Sequence, residues 1–205
     1  MFSGFTINLL FRAKGLQISK TPCRNPINFV RFNTMKLIVG LGNPLPKYEN
    51  TRHNVGFILL DALSDKLNLS WEVTPKFDAE MCVRENFILA KPQTYMNDSG
   101  NGVSKIINYY KIQPQDLLVV HDDVDLSLGT VREQFAAGSA GHHGVESIID
   151  SLGTQTFWRL RVGIGRPTDA NLPIDVFVLN DFGLDELVEV REKSGALDRL
   201  GEFLK

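Results

Sequence analysis

The order of apolar and polar positions predicts a strand and then a helix soon after residue 35. Residues 36–39 form a largely apolar run that leads into Gly40, and such a run before a glycine-rich turn is typical of a buried strand. From residue 54 to 67, apolar residues recur at the three- and four-residue spacing of one helix face: Val55, Ile58, Leu59, Ala62 and Leu63. A strand followed by a helix is the building unit of α/β proteins.

The rest of the chain continues this alternation. Further strands are predicted at residues 81–83, 87–90, 116–120, 130–135 and 159–164. Helical spacing recurs at residues 99–110, 144–152 and in the amphipathic tail 184–204. The first two of these strands are separated by a tight turn, which indicates an antiparallel pair within an otherwise alternating pattern. We therefore predict an α/β fold, a three-layer α/β/α single domain with a central mixed β-sheet.

Composition agrees with one folded domain. The chain has 205 residues, of which 43% are hydrophobic, and this is enough for one substantial core. No apolar run approaches the ~18 residues that a membrane helix needs, so we expect no membrane partner. The two cysteines, Cys23 and Cys82, form neither a disulfide framework nor a Cys-x-x-Cys zinc motif.

Charge divides the chain near Met35. Residues 1–34 contain five basic residues and no acidic ones, a composition typical of an organellar transit peptide. The alternative is a disordered extension ahead of an internal start at Met35. We expect a mitochondrial location, with a cytoplasmic one as the alternative, and a domain spanning residues 35–205. That domain keeps 17 basic residues (22 less five) against 24 acidic ones, and its formal charge of −7 argues against broad nucleic-acid binding.

Polar side chains that can do chemistry gather where the predicted strands end: Asn43, His53, Asn97, Asp122, His142 and His143. Because the carboxyl ends of parallel strands share one edge of a sheet, these residues are candidates for a single cleft. A histidine oriented by a buried carboxylate acts as a general base, and asparagine amides hold a water or stabilise an oxyanion. No serine or cysteine lies in a Gly-x-Ser-x-Gly turn, which favours direct attack by water.

Each of these residues also has a structural interpretation. His53 could cap a helix or donate within the core, Asn43 could shape a turn, and Asn97 could cap the next helix. The Gly40-x-Gly42 turn hints at dinucleotide binding, but Leu45 stands where the third glycine of that motif belongs. A metal site is a further alternative, with candidate ligands at Asp122, Asp123, Asp125, His121, His142 and His143.

Five segments in order make the combination more specific. These are residues 36–44 (KLIVGLGNP), 51–56 (TRHNVG), 91–97 (KPQTYMN), 121–126 (HDDVDL) and 159–165 (RLRVGIG). Together they closely resemble the bacterial-type peptidyl-tRNA hydrolases, over about residues 35–181, and the extension suggests a eukaryotic, organellar member. The resemblance implies hydrolysis of the ester between peptide and tRNA, without metal or other cofactor, by a monomer whose partner is peptidyl-tRNA.

The resemblance also assigns roles by matching position. It implies that His53 is the general base and that Asp122 orients its imidazole. It also implies that Asn43 and Asn97 place the ester and the water, with Asn97 near the developing oxyanion. Other matching positions imply contacts with substrate: Tyr48 with the tRNA end, Met96 with the peptide, and Arg132 and Arg161 with tRNA phosphates.

Two positions depart from the family pattern. His143 stands where the family keeps a substrate-binding asparagine. An imidazole can still donate one hydrogen bond, but it cannot offer the donor and acceptor pair of an amide at the same reach. Gln134 replaces a basic residue, so fewer phosphates are neutralised and tRNA affinity should be weaker. A non-catalytic RNA-binding or splicing-associated relative of the same fold is the alternative function, although such a binder has no need of a base and its orienting acid.

Overall fold

The computed structural model describes residues 35–205, and the predicted extension at residues 1–34 lies outside the described residues. A seven-stranded sheet forms the centre of the domain, in the order β2-β3-β4-β1-β5-β7-β6. Strands β4, β1, β5 and β7 run parallel, and the pairs β2–β3, β3–β4 and β6–β7 are antiparallel. The strands span β1 Lys36–Gly40, β2 Glu72–Thr74, β3 Ala79–Val83, β4 Phe87–Pro92, β5 Leu117–Asp123, β6 Val131–Phe135 and β7 Trp158–Gly163. The predicted mixed sheet is confirmed.

Helices cover both faces of this sheet. One face packs its apolar side chains against α2 and α3, and the opposite face packs against α1 and α6. The helices span α1 Val55–Lys66, α2 Ser99–Tyr110, α3 His143–Leu152, α4 Ile174–Phe177, α5 Leu184–Val188 and α6 Ala196–Phe203. Strands β1 and β5 are buried on both faces, which explains their nearly continuous apolar sequence. The three-layer prediction is confirmed, and within residues 35–205 no helix is long and apolar enough to cross a bilayer.

The structure moves one boundary that matters for function. The predicted strand ended at Val120, with Asp122 after it, but β5 continues to Asp123 because its pairing with β7 continues to Gly163. Successive side chains of a strand point to opposite faces, so Asp122 shares the α1 side of the sheet with Val120. His121 and Asp123 point to the other side.

The sequence pattern missed two short elements. Strand β2 has three residues, lies at the edge of the sheet and is largely exposed, so it carries no apolar alternation. Helix α4 has four residues and begins directly after Pro173. Both are too short for a periodic pattern to develop.

A close backbone contact brings α1 to the sheet edge where chemistry is expected. A Cβ atom added at Gly56 would lie 2.3 Å from the Leu41 nitrogen and 2.5 Å from the Val120 oxygen. Only glycine therefore lets the first turn of α1 rest on the ends of β1 and β5. The 3₁₀ turn Arg52–Asn54, which precedes α1, is thereby placed beside Asp122.

Candidate active site

A cleft of about 500 Å³ opens at the carboxyl ends of β1 and β5, between the N-terminal ends of α1 and α3. Its polar lining includes Asn43, His53, Asp122 and His142, and its apolar lining includes Met96, Val124, Ile174, Val178 and Leu179. The cleft therefore joins a group of titratable side chains to an apolar wall. This is the usual composition of a small-molecule or peptide site.

His53 is held in this cleft by its backbone and by its ring. Its backbone N–H donates to the Val178 carbonyl at 2.8 Å, and its Nδ1 lies 2.9 Å from Asp122 Oδ1. Burial disfavours the imidazolium, but the charge and hydrogen bond of Asp122 outweigh burial, so the pKa of His53 is raised above 6.5. With Nδ1 engaged by the carboxylate, Nε2 remains for a proton transfer.

Arg52 connects the turn that carries His53 to the segment that contains α4. Its guanidinium donates to the Asp181 carbonyl at 2.5 Å, pairs with Glu186 at 2.6 Å, and stacks over the Phe177 ring at 4.6 Å. These contacts fasten the segment containing α4 to the turn that carries His53. Arg52 therefore holds the apolar lining near α4 in a fixed position relative to His53.

Asp122 is the centre of the polar cluster. Its side chain is 4% exposed, and its Oδ1 lies 2.9 Å from His53 Nδ1 and 3.0 Å from His142 Nε2. Burial alone would raise its pKa, but the charges and hydrogen bonds of the two histidines outweigh burial and lower it well below its usual range. Asp122 is therefore ionised and accepts hydrogen bonds from both imidazoles.

The role of His142 was missed by the sequence analysis, which assigned substrate contact to its neighbour. His142 is the N-cap residue of α3, and its Nδ1 accepts from the backbone N–H groups of Gly144 and Val145 at 3.2 and 3.3 Å. His143 instead points outward, with a side chain 77% exposed and its Nδ1 3.7 Å from Glu146. His143 lines only the edge of the cleft.

A third imidazole, that of His121, lies against His142 with ring centroids 4.7 Å apart. Its Nδ1 is 2.8 Å from the backbone carbonyl of Asp122, so Nδ1 carries the proton and donates. Burial, together with the nearby His142, lowers the pKa of His121 well below 6.5. His121 is therefore neutral and packs against the ring of His142.

Asn43 presents a defined donor to the cleft. Its Oδ1 accepts the Met96 backbone N–H at 3.0 Å, which fixes the amide orientation. Its backbone is bound at both polar groups by the Asn54 side chain, with both distances 2.9 Å. The Nδ2 of Asn43 is therefore the end of the amide that can donate to a substrate.

The remaining predicted residues are distributed around this centre. Met96 lines the cleft, and a Cβ on Gly144 would lie 2.5 Å from its sulfur, so glycine there lets α3 approach Met96. Asn97 follows Met96 in the same 3₁₀ turn and is exposed, outside the group of residues that line the cleft. Tyr48 is half-buried in the 3₁₀ turn Pro46–Tyr48, near the cleft but also outside its lining.

The two predicted phosphate-binding arginines lie side by side on the last two strands. Arg132 of β6 is the register partner of Arg161 of β7 and is exposed. Arg161 is 2.6 Å from Asp123 through both Nε and Nη2, and its Nη1 is 3.3 Å from Gln134 Oε1. The charge of Arg161 is therefore largely compensated within the protein.

Among residues 35–205, one group has the composition of a metal site: His53, Asp122 and His142, whose ligand atoms lie within 4.8 Å of one another. This differs from the predicted ligand set, because His121, His143, Asp123 and Asp125 are not part of it. Since Nδ1 of His142 accepts two backbone N–H groups, Nε2 carries the proton and offers no lone pair to a cation. The donor set therefore favours hydrogen bonding over metal binding.

The glycines of the predicted nucleotide turn have a packing role. A Cβ at Gly40 would lie 2.4 Å from the Gly56 oxygen, and one at Gly42 would lie 2.7 Å from the Phe57 ring. The absence of a side chain at both positions therefore allows α1 to pack against the end of β1. This packing explains the Gly-x-Gly spacing without a bound phosphate.

Known proteins share this sequence and architecture. The model of the peptidyl-tRNA hydrolase family matches residues 37–203. A peptidyl-tRNA hydrolase from Helicobacter acinonychis is 52% identical over 136 residues, covering 66% of this chain and 72% of that protein. One from Desulfitobacterium hafniense is 46% identical over 162 residues, covering 77% and 86%. The crystal structure of peptidyl-tRNA hydrolase from Acinetobacter baumannii matches with a TM-score of 0.76 and 33% identity, covering 84% of this chain and 89% of that chain.

Proposed function

We propose a mechanism from the premise that this chain belongs to the peptidyl-tRNA hydrolase family. The chain is accordingly a hydrolase of the ester bond that joins a peptide to tRNA, and its substrate is peptidyl-tRNA. The reaction consumes one water and yields a peptide with a free carboxylate and a tRNA with a free hydroxyl. Each step of this reaction can be assigned to individual side chains of the cleft.

In the first step, His53 Nε2 takes a proton from a water as the water oxygen bonds to the ester carbonyl carbon. The imidazolium that forms is stabilised by the Asp122 carboxylate at 2.9 Å from Nδ1. In the second step, the tetrahedral intermediate expels the tRNA oxygen, which receives the proton from His53. A positioned general base of this kind contributes about 10² to 10⁴ in rate.

The developing negative charge on the carbonyl oxygen needs a donor, and Asn43 Nδ2 is the donor that we assign to it. Met96 N–H and the Asn54 side chain fix its orientation before substrate binds. One preorganised donor of this kind contributes roughly 10² to 10³ in rate. Asn97 is then assigned to the outer edge of the site, where its exposed amide meets the substrate or the attacking water.

The two halves of the substrate are assigned to different surfaces. The apolar wall of Met96, Val178 and Leu179 suits a peptide side chain next to the ester. Arg132 and Arg161 suit tRNA phosphates, Tyr48 suits the tRNA end, and the exposed His143 contributes one hydrogen bond at most. Because Asp123 compensates Arg161, tRNA binding by this surface should be modest.

The observation that carries this mechanism is the His53–Asp122 contact within a cleft that also holds Asn43. The test is single-turnover release of an N-acetylated amino acid from tRNA by wild type and His53→Ala, in buffer containing a chelator. We expect release by the wild type and at least a 10²-fold slower release by the variant. Wild-type rates from a folded His53→Ala protein would refute the mechanism, and an inactive folded wild type would favour a non-catalytic RNA-binding relative.

The cellular setting is a separate proposal. The basic, acid-free composition of residues 1–34 supports delivery to mitochondria, and we assign a monomeric state to the enzyme. Fusion of residues 1–34 to a fluorescent protein tests the first point, with mitochondrial signal expected and diffuse cytoplasmic signal contradicting it. Light scattering of residues 35–205 tests the second, and a dimer mass would overturn it.

A further inference from the structure

One oxygen of Asp122 serves two imidazoles. Oδ1 lies 2.9 Å from His53 Nδ1 and 3.0 Å from His142 Nε2, and the two ring centroids are 5.0 Å apart. His53 arrives from the α1 side of the sheet, whereas His142 arrives from the N-terminus of α3 on the other side. A change in the His142 contact therefore alters the interaction of His53 with the same Asp122 oxygen.

The backbone of α3 decides which nitrogen of His142 carries the proton. Gly144 N–H and Val145 N–H point at Nδ1 from 3.2 and 3.3 Å, and both groups can only donate. Nδ1 must therefore be the unprotonated acceptor, which leaves the proton on Nε2 and makes Nε2 the donor to Asp122. The helix cap thus fixes the tautomer of His142 in the active site.

We propose, building on the proposed function, that His142 is a positioning residue: as the cap of α3 it is a permanent Nε2–H donor that anchors the Asp122 carboxylate facing His53. It touches Asp122 and acts on His53 only through it. This contact has two effects. The carboxylate is held in one orientation, and part of its negative charge is taken up by His142, so it stabilises the His53 imidazolium less than it would alone.

Several other titratable groups lie near this cluster, including the buried Arg159 of β7, whose charge acts on His121. His121 of β5 is neutral and bonded to a backbone carbonyl, while Arg52 of the 3₁₀ turn points away toward Glu186. Three further cleft carboxylates and one imidazole are Asp123, Asp125, Asp175 and His143, and the first two pair with Arg161 and Arg166. None of the described hydrogen bonds from these groups reaches the Asp122 carboxylate, so substitutions at His142 alter one contact while the surrounding charges stay in place.

Two substitutions separate the two bonds of His142. His142→Asn keeps an acceptor at the position of Nδ1, so α3 remains capped, but the amide is too short to reach Asp122. His142→Gln places an amide N–H near the position of Nε2, so the donor is kept and the cap is lost. His142→Ala loses both. The Asn and Gln variants therefore serve as controls for each other.

The pH profile of kcat/KM is the first measurement. In His142→Asn the Asp122 charge acts on His53 alone, so we expect the acid limb to move upward by about half a pH unit or more. We also expect kcat to fall about 10-fold because the carboxylate loses an anchor, while KM stays within about twofold. In His142→Gln the acid limb should stay in place, and loss of the cap should lower Tm by about 2–4 °C.

Nitrogen-15 NMR of the histidine rings is the second measurement, and it does not depend on activity. We expect a pyridine-type Nδ1 and a pyrrole-type Nε2 for His142, and a His53 titration that moves upward in His142→Asn. A protonated Nδ1, or a His53 titration and kcat unchanged in a folded His142→Asn, would overturn the inference. A raised KM with unchanged kcat would overturn it too, because it indicates direct contact with substrate. If the wild type proves inactive, the proposed function fails, and the His53 titration still decides the inference.

Discussion

Asn54 holds Asn43 through two hydrogen bonds that run in opposite directions. The Asn54 Oδ1 accepts the Asn43 backbone N–H, and the Asn54 Nδ2 donates to the Asn43 backbone carbonyl, both at 2.9 Å. An amide side chain can make both bonds at once, whereas a carboxylate can only accept. The contact connects the turn carrying His53 to the loop carrying the proposed oxyanion donor, so it fixes the distance between the proposed base and this donor.

Replacement of this amide by a carboxylate is therefore the first prediction. Asn54→Asp keeps the acceptor but sets an unpaired buried oxygen against the Asn43 carbonyl, and we expect the free energy of unfolding to fall by about 2 kcal/mol or more. Because Asn43 shifts, kcat should fall about 10-fold or more. Urea unfolding and steady-state kinetics measure both. Asn101→Asp, on the exposed face of α2, is the control, with a change within about 0.5 kcal/mol. Wild-type stability and kcat in Asn54→Asp would contradict the role given to this contact.

The acid limb of the pH profile provides the second prediction. Burial lowers the pKa of His53, but Asp122 raises it further, so it lies above its ordinary value of 6.5. A general base acts only when unprotonated, so kcat/KM should fall as the pH drops through this raised pKa. In Asp122→Asn only burial remains, and we expect the limb to move below pH 6.5 and the plateau to fall about 10² to 10⁴-fold. An unshifted limb would show that a group other than His53 is being titrated.

The same pair makes stability depend on pH. A histidine whose pKa is raised on folding contributes stability that is fully present below its unfolded pKa and lost as the pH rises through its folded pKa. Asp122, with a lowered pKa, contributes above its unfolded pKa of about 3.9 and loses this contribution as the pH falls. The stability difference between wild type and Asp122→Asn should therefore be larger at pH 5.5 than at pH 8.5, as measured by urea unfolding. An equal difference at both values would mean that the His53 titration is not linked to folding.

The sequence predicted the location of this site better than its internal contacts. Apolar runs ending near Gly40 and Val120 placed Asn43 and Asp122 at one edge of the sheet, and the structure confirms that placement. The hydrogen bond of His142 to Asp122 spans twenty residues and depends on the path of a loop, so no periodic pattern reports it. Histidine is also an uncommon N-cap residue, so the capping role of His142 was not predicted, although the helix that follows was predicted from residue 144.

Residues that are adjacent in a sequence motif differ in their exposure in the structure. His142 and His143 are adjacent, yet the helix start turns one ring into the cleft and the other into solvent. Within one 3₁₀ turn, Met96 is likewise buried and Asn97 is exposed. Such divisions depend on the direction in which each Cβ leaves the turn, which a sequence pattern does not specify.

Competition for Arg161 provides the fourth prediction. Asp123 occupies the guanidinium at 2.6 Å, so a tRNA phosphate must displace a buried carboxylate to bind there. In Asp123→Asn we expect tighter binding of deacylated tRNA. We also expect the slope of log affinity against log salt concentration to become steeper by about one, which corresponds to one more released counterion. Fluorescence anisotropy at several salt concentrations measures both quantities. Asp150→Asn on the exposed side of α3 controls for the general loss of one negative charge. If the two variants bind tRNA with equal affinity and equal salt slope, Asp123 does not compete with phosphate for Arg161.

Backbone strain in the loop before His142 provides the last prediction. Ala136 and Ala140 have φ values of 52° and 51°, a left-handed conformation that costs a residue with a Cβ about 1–2 kcal/mol. Glycine removes this cost but loses more chain entropy on folding, so Ala136→Gly and Ala140→Gly should each raise the free energy of unfolding by about 0.5–1 kcal/mol. Ala137 lies between them without a positive φ, and Ala137→Gly should lower it by a similar amount. Urea unfolding of the three variants gives the comparison. Destabilisation by all three would show that the left-handed residues are not strained, and stabilisation confined to residues 136 and 140 would show that this loop is held under strain over the active site.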